Sequence, residues 1–306
     1  MMSKIFVLPP RESWICDRIS AEWYENCQDI STKNIIDADI IWLLAGWCWK
    51  QVNLELLKTK RVVVTIHHIV PEKFTQEKFN DFMLRDKFVD LYHVPNDKAY
   101  KAVSRLTQKP IKVVGYWFDK KKWFHEERST CRDRLGLSNN DFIVGSFQRD
   151  TEGSDLITPK LEKGPDQFCD YVGNMQRDNL HVLLGGWRRQ YVISRLEKMK
   201  IPYTYFELAN LETLRLMYCS LDLYAISSRY EGGPQSALEA SGMHIPIVST
   251  DVGMVPDILH KDCIFEKLDS NFYPSKNHVE FNFEQAMKFE ILLHKERYIE
   301  MFKGIL

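Results

Sequence analysis

Short apolar runs rich in β-branched residues alternate along this chain with longer stretches whose apolar positions recur every three to four residues. The first pattern suits strands buried on both faces and the second suits helices laid against them, so the alternation predicts parallel α/β units. The strand pattern falls on KIFVL (4–8), DIIWLL (39–44), RVVVTI (61–66), DLYHV (90–94) and IKVVG (111–115). It returns on DFIVGSF (141–147), HVLLG (181–185), YTYFE (203–207), DLYAIS (222–227) and IPIVST (245–250). Between the two groups, residues 116–140 are charged and end in Ser-Asn-Asn, the composition of a domain boundary. Two sheets in two domains are therefore expected, over residues 1–125 and 126–282. From about residue 283 to 306 the chain reads as one amphipathic helix. Two open parallel sheets put their strand ends on either side of a cleft, an arrangement suited to two ligands.

Composition narrows the function classes. With 44% apolar and 12% aromatic residues the chain can fill two cores. Its 41 basic side chains are matched by 42 acidic ones, which argues against nucleic acid as the main partner. Residues 1–124 hold 20 basic and 15 acidic side chains, a net +5, and the rest of the chain carries −6, so the first domain could face an anionic partner or simply show scattered surface charge. Seven cysteines with no C-x-x-C spacing, mostly in apolar or mixed segments, fit reduced thiols and a cytoplasmic setting. The opening MMSKIFVLPPRESW has too short an apolar run for a signal peptide, and no later stretch reaches membrane length, so any membrane contact is expected to be peripheral.

The candidate chemistry sits in SRYEGGPQSALEASG, residues 228–242. Glu231 follows a strand, Pro234 is placed to open a helix, and Gly242 to close it. A strand, a glycine loop and a helix N-terminus bind anions: free N–H groups and the positive end of the helix dipole point at the ligand, and Gly232 and Gly233 admit it close to the backbone. Glu239 lies five residues past Pro234, about 7.5 Å along the helix axis. The two carboxylates can therefore accept from hydroxyls at opposite ends of one elongated ligand, as in a nucleotide sugar.

On these residues, SSRYEGGPQSALEASGMHIPIVSTDVGMVPDIL resembles the donor-binding block of the retaining GT-B glycosyltransferases of family 4. That resemblance implies an α/β GT-B architecture: two Rossmann-like parallel-sheet domains facing a cleft, with the C-terminal helix crossing back to the first. It implies that Glu231 stands by the transferred sugar, that Glu239 holds the ribose hydroxyls, and that Gly232, Gly233 and Pro234 line the sugar and phosphates. DFIVGSFQRD and EKGPDQF resemble the family's strand-Gly-Arg loop and Lys-Gly, which assigns the diphosphate to Arg149 and Lys163. Fixed cations there would stabilise the charge that builds on the leaving diphosphate. The family places its lysine soon after the arginine; here TEGSDLITPKLEKG intervenes and offers Lys160 as the alternative. VVVTIHHIV resembles the strand end whose histidine reaches the donor sugar, which assigns His67, with a structural histidine as the other reading. The first loop, PPRESW, departs from the family's glycine-rich turn and leaves the acceptor side open.

The implied activity is transfer of a hexose-type sugar from a nucleoside diphosphate sugar to the hydroxyl of a glycan, lipid-linked or other acceptor, with retention, without a metal and with no cofactor beyond the donor. A catalytically idle sugar-nucleotide binding or scaffold protein, and a GT-B epimerase or hydrolase, are the alternatives. Asp37-Ala-Asp39 has the spacing of a metal-binding Asp-x-Asp but leads straight into a strand, and no Cys/His cluster shows metal-ligand spacing. No P-loop pattern occurs. Trp42 is expected in the core, with Trp14, Trp23, Trp47 and Trp49 crowding the same half. KKKWF at 120–124 is expected to be a solvated hinge, with an anionic membrane as its other possible contact.

Overall fold

The computed structural model describes residues 4–12, 15–153 and 155–306; Trp14 lies outside the described residues. The ten expected strands form, as β1 (Ile5–Leu8), β2 (Ile40–Leu43), β3 (Arg61–Thr65), β4 (Leu91–Val94), β5 (Ile111–Val113), β6 (Phe142–Phe147), β7 (Leu180–Gly185), β8 (Tyr203–Phe206), β9 (Leu223–Ile226) and β10 (Ile247–Thr250). A short edge strand, β11 (Ile264–Phe265), was not anticipated. All pairings are parallel. The first sheet runs in the order β1-β2-β3-β4-β5, and the second in the order β11-β10-β9-β6-β7-β8. The chain divides into two compact units, residues 1–119 with 290–306, and residues 120–289.

In the first unit β2 and β4 are buried along their whole length and β3 from Val62 onward, as parallel strands covered on both faces are, whereas the edge strand β5 is exposed at Lys112 and Val113. Trp42 is 1% exposed and packs in a ring cluster with Trp23, Trp117, Tyr298 and Phe302. Burial leaves the polar atoms of this cluster in need of partners, and they form a chain. The indole N–H of Trp42 donates to Thr65 Oγ1 at 2.8 Å, and Thr65 Oγ1 lies 2.9 Å from His93 Nδ1. His93 Nε2 lies 2.8 Å from the Val114 carbonyl, which can only accept, so the proton is on Nε2 and Nδ1 accepts from Thr65. Burial pushes the His93 pKa down to about 4 and keeps the ring neutral.

The C-terminal segment belongs to this unit, but not as one helix. A helix over Lys276–Met287 ends in the second unit, and a second helix, Ile291–Lys303, starts after a break at 288–290. The apolar period continues through the break, so the pattern could not show it. Tertiary contacts make it: Glu290 bridges to Phe118, Ile291 N donates to the Phe118 carbonyl, and the Glu290 carboxylate caps the new helix at Leu292 N. Further along, His294 Nε2 and the Tyr298 hydroxyl both bond the Gly115 carbonyl. That carbonyl is thereby committed to side chains, and β5 ends at Val113 rather than at the expected residue 115.

The second unit has the feature that positions a site. The chain lays down β6, β7 and β8 in one direction, then returns to place β9 on the other side of β6, with β10 and β11 beyond it. The order reverses between β6 and β9, and in an open parallel sheet the crevice outside the carboxyl ends at such a reversal is where ligands bind. The loops leaving β6 and β9 carry Arg149 and Glu231. Trp123 of the KKKWF segment is buried in this unit, edge-on to Tyr218, so only part of that segment is solvated. All seven cysteines are buried as free thiols. Among the described residues no helix is long and apolar enough to cross a membrane.

Candidate functional site

Three loops of the second unit are stitched together at the reversal point. The loop after β6 holds Gln148 and Arg149, the turn Leu161–Lys163 precedes the helix Pro165–Gly173, and the loop after β9 runs from Ser227 to Pro234. Gln148 Nε2 donates to the Lys163 carbonyl at 2.8 Å, and Ser228 Oγ lies 3.3 Å from Gln148 Oε1. Arg229 N and Tyr230 N both donate to the Glu162 carbonyl. Arg229 and Asp166 form a bidentate pair at 2.7 and 2.6 Å, tying the β9 loop to the start of the helix.

At the centre, Lys163 Nζ is 2.6 Å from Glu231 Oε1, and the same oxygen accepts from Ser228 Oγ at 3.0 Å. Both side chains are largely shielded, 18% and 11% exposed, in surroundings where a charge pair is stronger than in water. Lys160, the alternative, instead has its Nζ 3.6 Å from Glu162 Oε1 and its backbone N–H on the Asp150 carbonyl. Arg149 is half-buried, donates from Nε to the Thr151 carbonyl, and lies with its guanidinium over Trp187 at 5.2 Å. Burial, and then the neighbouring charge of Arg188, pull its pKa below the ordinary value, though a guanidinium remains a cation throughout.

The helix Gln235–Gly242 starts directly after Pro234, which caps it with extended backbone, and Gly233-Pro234 is a cis peptide. Gly232, Gly233 and Pro234 are buried. Glu239, on the second turn, is 3% exposed and accepts from the Tyr218 hydroxyl at 3.1 Å. Burial, with Tyr224 and Glu239 beside it, drives the Tyr218 pKa well up, so the phenol keeps the proton it donates. His67 lies past the end of β3, in the other compact unit. Its Nδ1 meets the Tyr116 hydroxyl and its Nε2 is 3.4 Å from Cys16 Sγ. The structure thus brings Arg149, Lys160, Lys163, Glu231, Glu239 and the Gly-Gly-Pro turn into one unit, and His67 is not among them. Asp39 stands at the opposite, amino end of the first sheet, where its carboxylate accepts from Lys4 N.

Several positioning residues escaped the sequence reading. Gly164 has φ +59°, and a Cβ there would stand 1.8 Å from the Ser227 carbonyl oxygen; only glycine lets the Lys163 turn meet the β9 loop. Gly253 plays the same part from the loop after β10, where a Cβ would lie 1.9 Å from the Gly233 oxygen. Asp150 and Arg189 form a fully buried pair at 3.0 Å, and Arg189 also donates to the carbonyls of Ser146 and Gly185 at the ends of β6 and β7. This pair fixes the loop that carries Arg149. Gly164 had a visible signal in the Lys-Gly pair, whereas Asp150 and Arg189 are 39 positions apart and had none.

A groove of about 720 Å³ borders this network on the β10 side, lined by Gln167, Ser228, Arg229, Thr250, Asp251 and Lys261 among others. It meets the network at Ser228 and Arg229, and its lining includes none of Arg149, Lys163 and Glu231.

Comparison with known proteins shows what the chain is similar to. Residues 156–272 match the sequence profile of the family described as Glycosyl transferases group 1. The chain is 28% identical over 158 residues to the O-antigen biosynthesis glycosyltransferase WbnH of Escherichia coli and, to the same degree, to the probable O-antigen biosynthesis glycosyltransferase WbiN of that organism. These matches span 47% of this chain and 43% of each relative, so the chain spans less than half the length of the curated relatives it matches. Among solved structures, Anabaena Alr3699/HepE in complex with UDP and glucose superposes over 99% of this chain and 100% of its own, with a TM-score of 0.79 at 13% identity. Sucrose-phosphate synthase from Thermosynechococcus elongatus covers 88% of this chain and 74% of its own, with a TM-score of 0.68 at 14% identity. The fold is that of the GT-B glycosyltransferases.

Proposed function

We propose that this protein is a glycosyltransferase of glycan synthesis that moves a hexose-type sugar from a nucleoside diphosphate sugar to an acceptor hydroxyl, with retention and with no metal on the diphosphate. The observation that carries the reading is the Lys163–Glu231 pair at the β6/β9 reversal, held by Gln148 and Ser228 beside the Gly-Gly-Pro turn. A sugar phosphate that enters there meets a cation for its leaving group and a carboxylate for its sugar hydroxyls. Lys163 fits the diphosphate role better than Lys160 because its ammonium stands 2.6 Å from Glu231 Oε1, whereas that of Lys160 stands 3.6 Å from Glu162 Oε1. Arg149 adds a second cation, and Glu239 is assigned to the ribose. As the acceptor oxygen bonds to the sugar carbon and the sugar–phosphate bond breaks, the departing phosphate oxygen takes the acceptor's proton, and Arg149 and Lys163 stabilise the charge left on the diphosphate. His67 and the acceptor site are assigned to the first unit. The UDP and glucose bound by the Anabaena protein make UDP-glucose the first donor to test.

The test is product analysis with UDP-glucose, with and without a lipid-linked or oligosaccharide acceptor. UDP release that depends on acceptor, with the sugar recovered on it, is the expected result. Free glucose or an epimerised donor formed equally without acceptor would move the assignment to a hydrolase or an epimerase.

A further inference from the structure

Three side chains outside the Lys163–Glu231 network converge at one point of the second unit. His260 precedes the turn Lys261–Cys263 that contains Asp262, and His278 lies in the first turn of the helix Lys276–Met287. One ligating atom of each falls within 4.8 Å of the other two. Asp262 Oδ2 is 3.6 Å from His260 Nδ1 and 3.6 Å from His278 Nε2. A tetrahedral ion with bonds of about 2.0–2.1 Å has ligand–ligand edges of about 3.3–3.4 Å, so the two edges to Asp262 need only a small contraction, and the third, between the imidazole nitrogens, closes from within 4.8 Å by rotation of the side chains. The two imidazoles are stacked, 4.7 Å between centroids and 22° between planes. Phe281 stands edge-on to His260 and Phe272 lies against His278, holding the rings from outside. The histidines are 29% and 18% exposed and the carboxylate 51%, so an ion can enter from solvent and keep a water.

Both rings are engaged as caps without an ion: His260 Nδ1 accepts from Asp262 N at 3.3 Å, and His278 Nδ1 from Ser275 N at 3.2 Å. These are at or beyond the long end for such bonds. Ligation through His278 Nε2 moves the ring proton to Nδ1 and gives up the Ser275 N bond, but the Ser275 hydroxyl still accepts from His278 N, so the helix stays capped. His260 Nδ1 exchanges the Asp262 N–H for the ion. Cys263, next in the chain, is buried and is not one of the three clustered ligands. Two imidazoles and a carboxylate suit zinc-like ions, whereas magnesium and calcium require a shell of oxygens.

We propose that His260, Asp262 and His278 bind a divalent transition ion, zinc in the first instance, completed by water, which staples the β10–β11 connection to the helix Lys276–Met287. The proposal is independent of the sugar-transfer reading. Its test is calorimetric titration of chelator-stripped, untagged full-length protein with zinc chloride, with thermal unfolding in parallel. One ion per chain and a raised melting temperature are expected. His278→Gln removes the imidazole yet keeps an acceptor for Ser275 N in a Ser-x-x-Gln capping box, so the fold stays intact. It should weaken zinc binding about 100-fold, the loss expected for one of a few ligands. His260→Asn should do the same. No zinc binding by the wild type, unchanged binding in both variants, or equal stabilisation by magnesium chloride would each overturn the proposal.

Discussion

Asp150→Ala is expected to lower stability by about 3–5 kcal/mol, the range for removing one partner of a buried ion pair, because it leaves the Arg189 guanidinium charged and enclosed. Both side chains are fully buried, and Arg189 spans the carboxyl ends of β6 and β7 through Ser146 and Gly185. The loss should show as a lower urea midpoint for the wild-type protein's variant. The double variant Asp150→Ala, Arg189→Met should recover part of it, since replacing both charges with apolar groups removes the desolvation cost along with the attraction. A single variant within about 1 kcal/mol of wild type would show that the pair is not what holds the β6 loop. Because Asp150 follows Arg149 directly, its removal should also weaken donor binding.

The largest effect on activity is expected at Glu231. Glu231→Ala should leave the fold intact, since the side chain packs against Lys163 and Ser228 in the loops of the site rather than in the hydrophobic core. Transfer should fall about 100- to 1000-fold, the usual consequence of deleting one pre-positioned polar group that acts on a transition state. Two losses combine: the sugar loses an acceptor for its hydroxyls, and the Lys163 ammonium loses the partner that aims it. Lys163→Met should be comparably impaired, whereas Lys160→Met should keep most activity. Near-wild-type turnover in Glu231→Ala would remove the role assigned to it, and a greater loss at Lys160 than at Lys163 would reverse the assignment between the lysines.

The fold was readable because its strands are β-branched runs long enough to show a period. Strand β11, two residues long, falls below that length, and the C-terminal helix reads as continuous because the pairing with Phe118 and the Glu290 cap, not the apolar period, divide it. In the candidate site, the Glu-Gly-Gly-Pro turn was legible since strand, glycines and helix start are local to residues 223–242. What surrounds it was not. Lys163 and Glu231 are 68 positions apart, and the Gly164 and Gly253 contacts involve the backbone of distant loops. These juxtapositions follow from the order β11-β10-β9-β6-β7-β8, which no local pattern encodes. The same holds for His260 and His278, whose separation in sequence shows no metal-ligand spacing although their rings stack.

Nucleotide binding tests the central claim most directly. Thermal unfolding of the wild type and of Glu239→Gln would be followed with UDP, GDP, ADP and CMP. The Gln variant keeps an acceptor for the Tyr218 hydroxyl, so a change in ligand response reports on the ligand. A nucleotide at 100 times its Kd adds about 2.7 kcal/mol of stability. The expected result is that one diphosphate, UDP first, raises the wild-type melting temperature and loses most of that effect in Glu239→Gln. No shift with any of the four would contradict a donor site at the β6/β9 reversal.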